Sequence, residues 1–334
     1  MSFSSHFIIN LLVKSSLLMI CLLILISFFI LFERNFMGHL QRRVGPSNVG
    51  LFGLLQPLAD GLKLFLKETI LPININKYLF IYSPIFMFFL ALILWLIVPF
   101  FYKIYILNLE LSLFFIIIIS SLNIYSIIFS GWSSNSNYSF LGCLRSVSQM
   151  ISYEISFSFI LIIICLISQS FNLIYMIEFQ RNNFLIFILF PIFILFFISI
   201  LAETNRHPFD LPEAESELVS GYNTEYSSMV FGFFFLSEYS NILFMSILSV
   251  IFFFGGWNFF KFESFFIYSF KIIIVSSFFI IFRSILPRYR FDQLIEIGWL
   301  IIFPLSLFFF IFYFYLLKFF LLNFYVNIDF IYNF

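Results

Sequence analysis

The chain has 334 residues and no formal net charge; 62% of its residues are hydrophobic and only 10% are charged. Mean hydropathy is +1.08, and stretches of about 20 residues run almost without charge, the length a helix needs to cross a bilayer. Soluble classes are thereby excluded, and no nucleic-acid partner is expected. The 58 Phe residues and abundant Ile point to an AT-rich gene, most simply an organellar one.

The spacing predicts an all-α polytopic membrane protein forming a single integral domain over 1–334, with eight spans at approximately 11–32, 79–101, 111–130, 151–170, 184–202, 229–254, 264–286 and 297–322. Helix is required because each span must satisfy its own backbone groups in lipid. The first run is too long for a signal-peptide core, and no small-x-small cleavage pattern follows it, so it reads as a retained span. Between the first two spans, Leu51–Glu68 (LFGLLQPLADGLKLFLKE) carries Leu51, Leu54, Leu55, Leu58, Leu62, Phe65 and Leu66 on one stripe. That pattern predicts an amphipathic helix lying at the interface, despite Pro57. Asp60 stands out in it, an acid between the small residues Ala59 and Gly61.

An even number of spans puts both termini on one side. The loops 33–78, 131–150, 203–228 and 287–296 then share the other face. With Arg283 at a span end, these loops hold 11 of the 17 basic residues. The positive-inside rule turns this face toward the cytoplasm, or toward the matrix if the gene is mitochondrial. The three cysteines, Cys21, Cys143 and Cys165, are isolated, and His6, His39 and His207 are scattered. Neither set has the spacing of a metal or iron–sulfur ligand group. Cys143 is expected to be a packing residue.

The acids are concentrated where lipid would least tolerate them. Ala202–Tyr239 reads AETNRHPFDLPEAESELVSGYNTEYSSMVFGFFFLSEY and holds Glu203, Asp210, Glu213, Glu215, Glu217, Glu225 and Glu238. Glu154 falls roughly 5 Å inside the fourth span and Glu238 roughly 14 Å inside the sixth, at 1.5 Å per residue. An ionisable group at mid-bilayer costs roughly 2.5–3.5 kcal/mol on insertion scales, so such a cluster needs partners, water or a function. Closely spaced, buried carboxylates can exchange protons near neutral pH. The residues alone therefore suggest a hydrated, proton-exchanging path opening to the charged face. A proton or cation antiporter-like transporter, or the matching subunit of a membrane-bound hydrogenase, would also use buried acids.

Three blocks carry a resemblance. The acidic stretch, Phe32–Glu68 (FERNFMGHLQRRVGPSNVGLFGLLQPLADGLKLFLKE) and Phe282–Trp299 (FRSILPRYRFDQLIEIGW) closely resemble the membrane subunit 1 family of respiratory NADH:ubiquinone oxidoreductase, complex I. The resemblance implies a mitochondrial inner-membrane protein with its charged loops in the matrix. It implies a quinone chamber shared with peripheral-arm quinone-site and iron–sulfur subunits, and contacts with other membrane-arm subunits and lipid. Ubiquinone would be the substrate, with NADH, FMN and iron–sulfur clusters on partners and no cofactor on this chain. By motif match, Glu33, Arg34, Asp60, Arg206, Arg283, Arg288 and Arg290 fall near the chamber. Glu154, Glu203, Glu213, Glu215, Glu217, Glu225 and Glu238 fall on the proton path.

Overall fold

The computed structural model describes residues 2–102, 104–211, 221–259 and 262–332. Helices α1 (Ser2–Leu40), α3 (Lys77–Trp95), α4 (Ser112–Ser133), α5 (Asn137–Ser168), α8 (Phe190–Glu203), α9 (Ser228–Phe253), α10 (Phe265–Ile285) and α12 (Phe303–Tyr332) make the bundle. Shorter helices α2 (Gln56–Leu66), α6 (Leu173–Phe179), α7 (Leu185–Ile188) and α11 (Phe291–Glu296) join or cap them. Among the described residues seven helices are long and apolar enough to cross a membrane, α11 and α12 counting as one through the π-helical turn Ile297–Ile302.

The fifth predicted span is the shorter one. It breaks at Leu189, which closes α7 and opens the 14-residue α8, with Pro191 in the first turn of the new helix. Proline is suited to that position, where its missing N–H has no partner to lose. At 1.5 Å per residue α8 is only about 21 Å long, less than the hydrocarbon thickness of about 30 Å. It is nevertheless thoroughly packed: Ile192, Phe196, Ile200 and Ala202 are fully buried.

Two loops expected from polarity are helical instead. α1 runs on through Glu33 and Arg34 to Leu40. α5 begins at Asn137, so only Ser134–Ser136 separates it from α4. The first half of α5 is polar because it faces protein rather than lipid: Ser139, Gly142, Ser146 and Gln149 are all buried. Its serine hydroxyls return to backbone carbonyls three residues back, as Ser146 does to Cys143 at 2.8 Å. Cys143 is itself 2% exposed and presses on Gly131 of α4.

The interfacial helix is shorter than the 51–68 stripe. A 3₁₀ turn at Leu51–Gly53, with Gly50 and Gly53 at φ of 76° and 75°, precedes α2, and Pro57 sits in the first turn of α2. No residue of α2 is buried, and Leu58, Leu62 and Phe65 stay more than 60% exposed, the state of an apolar stripe laid against lipid.

The opposite end is more structured than its sequence suggests. α6 buries Leu173, Met176 and Ile177, and Asn258–Phe259 pairs antiparallel with Phe262–Glu263. Lys271 of α10 reaches this end and donates to three carbonyls, Phe254 at 2.7 Å, Gly256 at 3.0 Å and Asn258 at 2.5 Å. Its ammonium also lies 5.1 Å from the Phe184 ring centroid. A long side chain carrying its charge to the end of a span in this way spares the bilayer an exposed cation.

Candidate functional site

The charged ends of α1, α8 and α10 meet at Glu33. This carboxylate is 2% exposed and accepts from Arg206 Nη1 at 2.7 Å and Nη2 at 3.3 Å, and also from Arg283. Arg206 is largely buried, and its guanidinium carbon lies 4.7 Å from the centroid of the Tyr239 ring. Burial opposes the Arg206 charge, but the Glu33 carboxylate, with Tyr239 beside it, holds its pKa above the ordinary value. One carboxylate serving two guanidinium groups leaves the cluster positive. A buried pair of this kind costs desolvation that only good geometry offsets.

Beside it lies a second ionic group. Asp210, 4% exposed, accepts from Arg288 at 2.8 Å and lies 2.9 Å from His207 Nε2. Arg288→Met leaves this carboxylate with His207 as its remaining ion-pair partner among the described residues, so the variant is expected to accumulate to a lower level and to have a lower Tm. Wild-type amounts on a native gel together with a wild-type Tm would show that Arg288 is only a surface charge.

A third pair borders a groove. Arg34 Nη1 meets Asp60 at 2.7 Å, and Gln56 holds the other Asp60 oxygen at 3.0 Å. Both ions are more than a third exposed, so the pair is worth little to stability. Its place is what matters. A groove of about 590 Å³ runs between α1, α2 and α9, walled by Leu23, Ile30, Leu64, Phe88, Phe231 and Leu236, with Arg34, Asp60 and Tyr239 among its lining.

From Tyr239 the polar surface continues inward. Tyr239, Arg206, Arg283, His207, Asp210 and Glu238 line a cavity of about 30 Å³, which shares Thr204, Asn205 and Glu238 with a deeper one of about 20 Å³. Glu203 lines the deeper cavity, whereas Glu154 lines neither cavity. Tyr222 donates to Glu238 at 2.7 Å. Glu203 Oε2, Asn123 Oδ1 and Asn241 Oδ1 have no hydrogen-bond partner among the described residues. Each acceptor left unmet would cost about 1–3 kcal/mol.

Not every expected site residue joins this line. Glu225 is half-buried in the turn before α9 and lines neither cavity. Its neighbour Tyr226 stacks on Phe80 at 4.0 Å and bonds Ser83 at 3.1 Å, with burial pushing its hydroxyl up to about 12. Arg290 is exposed at the start of α11 and joins no ion pair among the described residues. Glu213, Glu215 and Glu217 lie outside the described residues. Among the described residues no group of three or more His, Cys, Asp or Glu is placed to hold a metal ion.

Tyr239, Tyr222, His207, Asp210 and Gln149 are additions that sequence reasoning did not single out. Gln149 ties the loop after α8 to α5, donating to the carbonyls of Ala202 and Phe209, each at 2.8 Å. Asp210 lay in the acidic stretch, and Tyr239 directly follows Glu238. Gln149 fell in the stretch 131–150 read as a loop, where a polar residue carries no signal.

Fold and site together define an integral membrane protein in which an apolar groove leads to a line of ionisable side chains. The family profile described as NADH dehydrogenase matches residues 13–314. "NADH-ubiquinone oxidoreductase chain 1" of Cyanidium caldarium is 52% identical over 311 residues, covering 90% of this chain and 89% of the relative. The protein of the same name from Chondrus crispus is 49% identical over 308 residues, covering 90% and 94%. Its namesake from Arabidopsis thaliana is 49% identical over 293 residues, covering 86% and 90%. The chain belongs to the NADH dehydrogenase family.

Proposed function

We propose that this chain is the membrane subunit of an NADH:ubiquinone oxidoreductase that forms the membrane-side wall of the quinone chamber and couples quinone reduction to proton movement. The observation that carries the reading is continuity. The groove shares Tyr239 with the outer cavity, and the outer cavity shares Thr204, Asn205 and Glu238 with the inner one. Names of the relatives support the oxidoreductase over a free-standing transporter or a hydrogenase subunit.

The groove between α1, α2 and α9 suits an isoprenoid tail, with the head group drawn toward the Arg34–Asp60 pair. Reduction of a quinone to a quinol takes up two electrons and two protons. In this reading the electrons come from an iron–sulfur cluster on a peripheral-arm partner, which also carries NADH and FMN chemistry away from this chain. The charged face points into the mitochondrial matrix, and other membrane-arm subunits and lipid cover the bundle.

The positive Glu33–Arg206–Arg283 cluster stands between the groove and the acids. A negative charge developing on the head group competes for that positive charge. Within ~4–6 Å such a change moves a carboxylate's proton affinity by one to three pKa units. Glu238, Glu203 and Glu154 would receive the effect in turn, with Glu213, Glu215, Glu217 and Glu225 on the outer part of the path.

The test is Glu203→Gln in the assembled enzyme. NADH:ubiquinone turnover and the coupled proton uptake are expected to fall roughly 100-fold or more, the range of a lost proton-transfer group. NADH oxidation by ferricyanide, which bypasses the quinone, should be unchanged. Normal quinone turnover with normal pumping would remove Glu203 from the path.

A further inference from the structure

We propose that the inner cavity beside Glu203 is a binding site for one water molecule, positioned by Asn123 and Asn241, that relays a proton between Glu238 and Glu203. The inference rests on the path reading above and assigns two residues that carry no charge and lie on different helices, α4 and α9.

The cavity measures about 20 Å³, and roughly 10–15 Å³ is enough to hold one water. Its lining brings together Glu203, Glu238, Asn123 and Asn241. Three of these residues hold sealed acceptor oxygens with no donor among the described residues: Asn123 Oδ1, Asn241 Oδ1 and Glu203 Oε2. Asn123 is 5% exposed, so bulk solvent does not satisfy it. The two hydroxyls on the wall are already committed. Ser120 donates to the Ile117 carbonyl at 2.9 Å and Thr204 to the Ile200 carbonyl at 2.9 Å. Asn205 Oδ1 is taken by Gln149 at 3.2 Å. The rest of the wall is Met, Leu, Ile and Phe. What these three oxygens lack among the described residues is a donor, and a polar cavity of this size is normally wet.

The residue type fits the task. A carboxamide carries both a donor and an acceptor and does not titrate. It can therefore hold the same water whichever carboxyl has the proton. In the relay, protonated Glu238 gives its proton to the water oxygen as one O–H bond breaks and another forms. The water then gives a different proton to Glu203, and both the water and the charge count are restored. Asn123 and Asn241 take no proton and are positioning residues.

The experiment uses the assembled enzyme in proteoliposomes and the pair Asn123→Thr and Asn123→Val, whose side chains have nearly one shape and differ in a hydroxyl. Asn123→Val is expected to lower quinone turnover and proton uptake roughly tenfold, while Asn123→Thr stays within about threefold of wild type. The KM for ubiquinone and the ferricyanide rate should be unchanged in both. Equal turnover of the two variants overturns the proposal. An independent measurement needs no variant to fold. The reduced-minus-oxidised infrared spectrum of the wild type should contain a water O–H band that shifts in H₂¹⁸O, and its absence overturns the proposal. Turnover that rises with Na⁺ at fixed ionic strength also overturns it, in favour of a bound cation. Failure of the path reading looks different: Glu203→Gln then turns over normally even though the water band is present.

Discussion

Glu33→Ala is expected to cost the bundle about 3–5 kcal/mol, the usual penalty for removing one partner of a buried ion pair. The loss should appear as less assembled enzyme, a lower Tm and no measurable quinone turnover. The reason is asymmetric. Arg283 is a third exposed and can regain water, whereas Arg206 is only 14% exposed and is held under the Tyr239 ring. The penalty therefore comes mainly from Arg206. Glu33→Ala combined with Arg206→Met should recover part of the Tm without recovering turnover, and Arg283→Met alone should be milder than Glu33→Ala. A Glu33→Ala enzyme of wild-type Tm would show that the guanidinium groups find water or another acceptor.

Gly142→Ala should also be severe, for steric reasons. A Cβ at position 142 would stand 2.7 Å from Gly221 Cα, 2.8 Å from Gly221 C and 2.9 Å from Tyr222 N. These are backbone atoms, so no flexible side chain can yield. α5 and the 3₁₀ turn Gly221–Asn223 must separate, at about 1–3 kcal/mol for overpacking of this kind. The displacement also pulls Tyr222 from Glu238, so turnover should fall with stability. Gly61→Ala is the control, since nothing lies within 4 Å of its added methyl. It sits inside α2 and should hold or gain stability by up to about 1 kcal/mol. Equal Tm for the two variants would mean that the turn is free to move away from α5.

Much of the fold was legible because hydrophobicity and length are strong signals in lipid. The limits came where protein replaces lipid as the surroundings. The polar first half of α5 looked like a loop because Ser139, Ser146 and Gln149 would be expensive in a bilayer, yet each is buried against other helices. α8 looked like an ordinary span because periodicity does not show that Pro191 starts a new helix. The site divides the same way. Glu33, Arg206 and Arg283 were legible as residues, but that one carboxylate serves both arginines depends on 173 and 250 residues of sequence separation. Tyr239 and Asn123 gave no signal, because an aromatic or an amide in an apolar helix is common and only the cavity beside it gives it meaning.

The Lys271 clasp at the far end has an evolutionary corollary. Its three oxygens belong to the main chain at Phe254, Gly256 and Asn258, so the clasp itself depends on backbone position rather than on side-chain identity; Trp257 and Asn258 are fixed separately, by burial and by the bond from Asn258 to the Ile177 carbonyl at 2.9 Å. Gly255 and Gly256 are constrained by conformation, with φ of 70° and 57°. What the lysine reads is the path and the residue count of this short segment. Insertions and deletions along it should therefore be purged between relatives, because a change of one residue would carry the three carbonyls off the lysine.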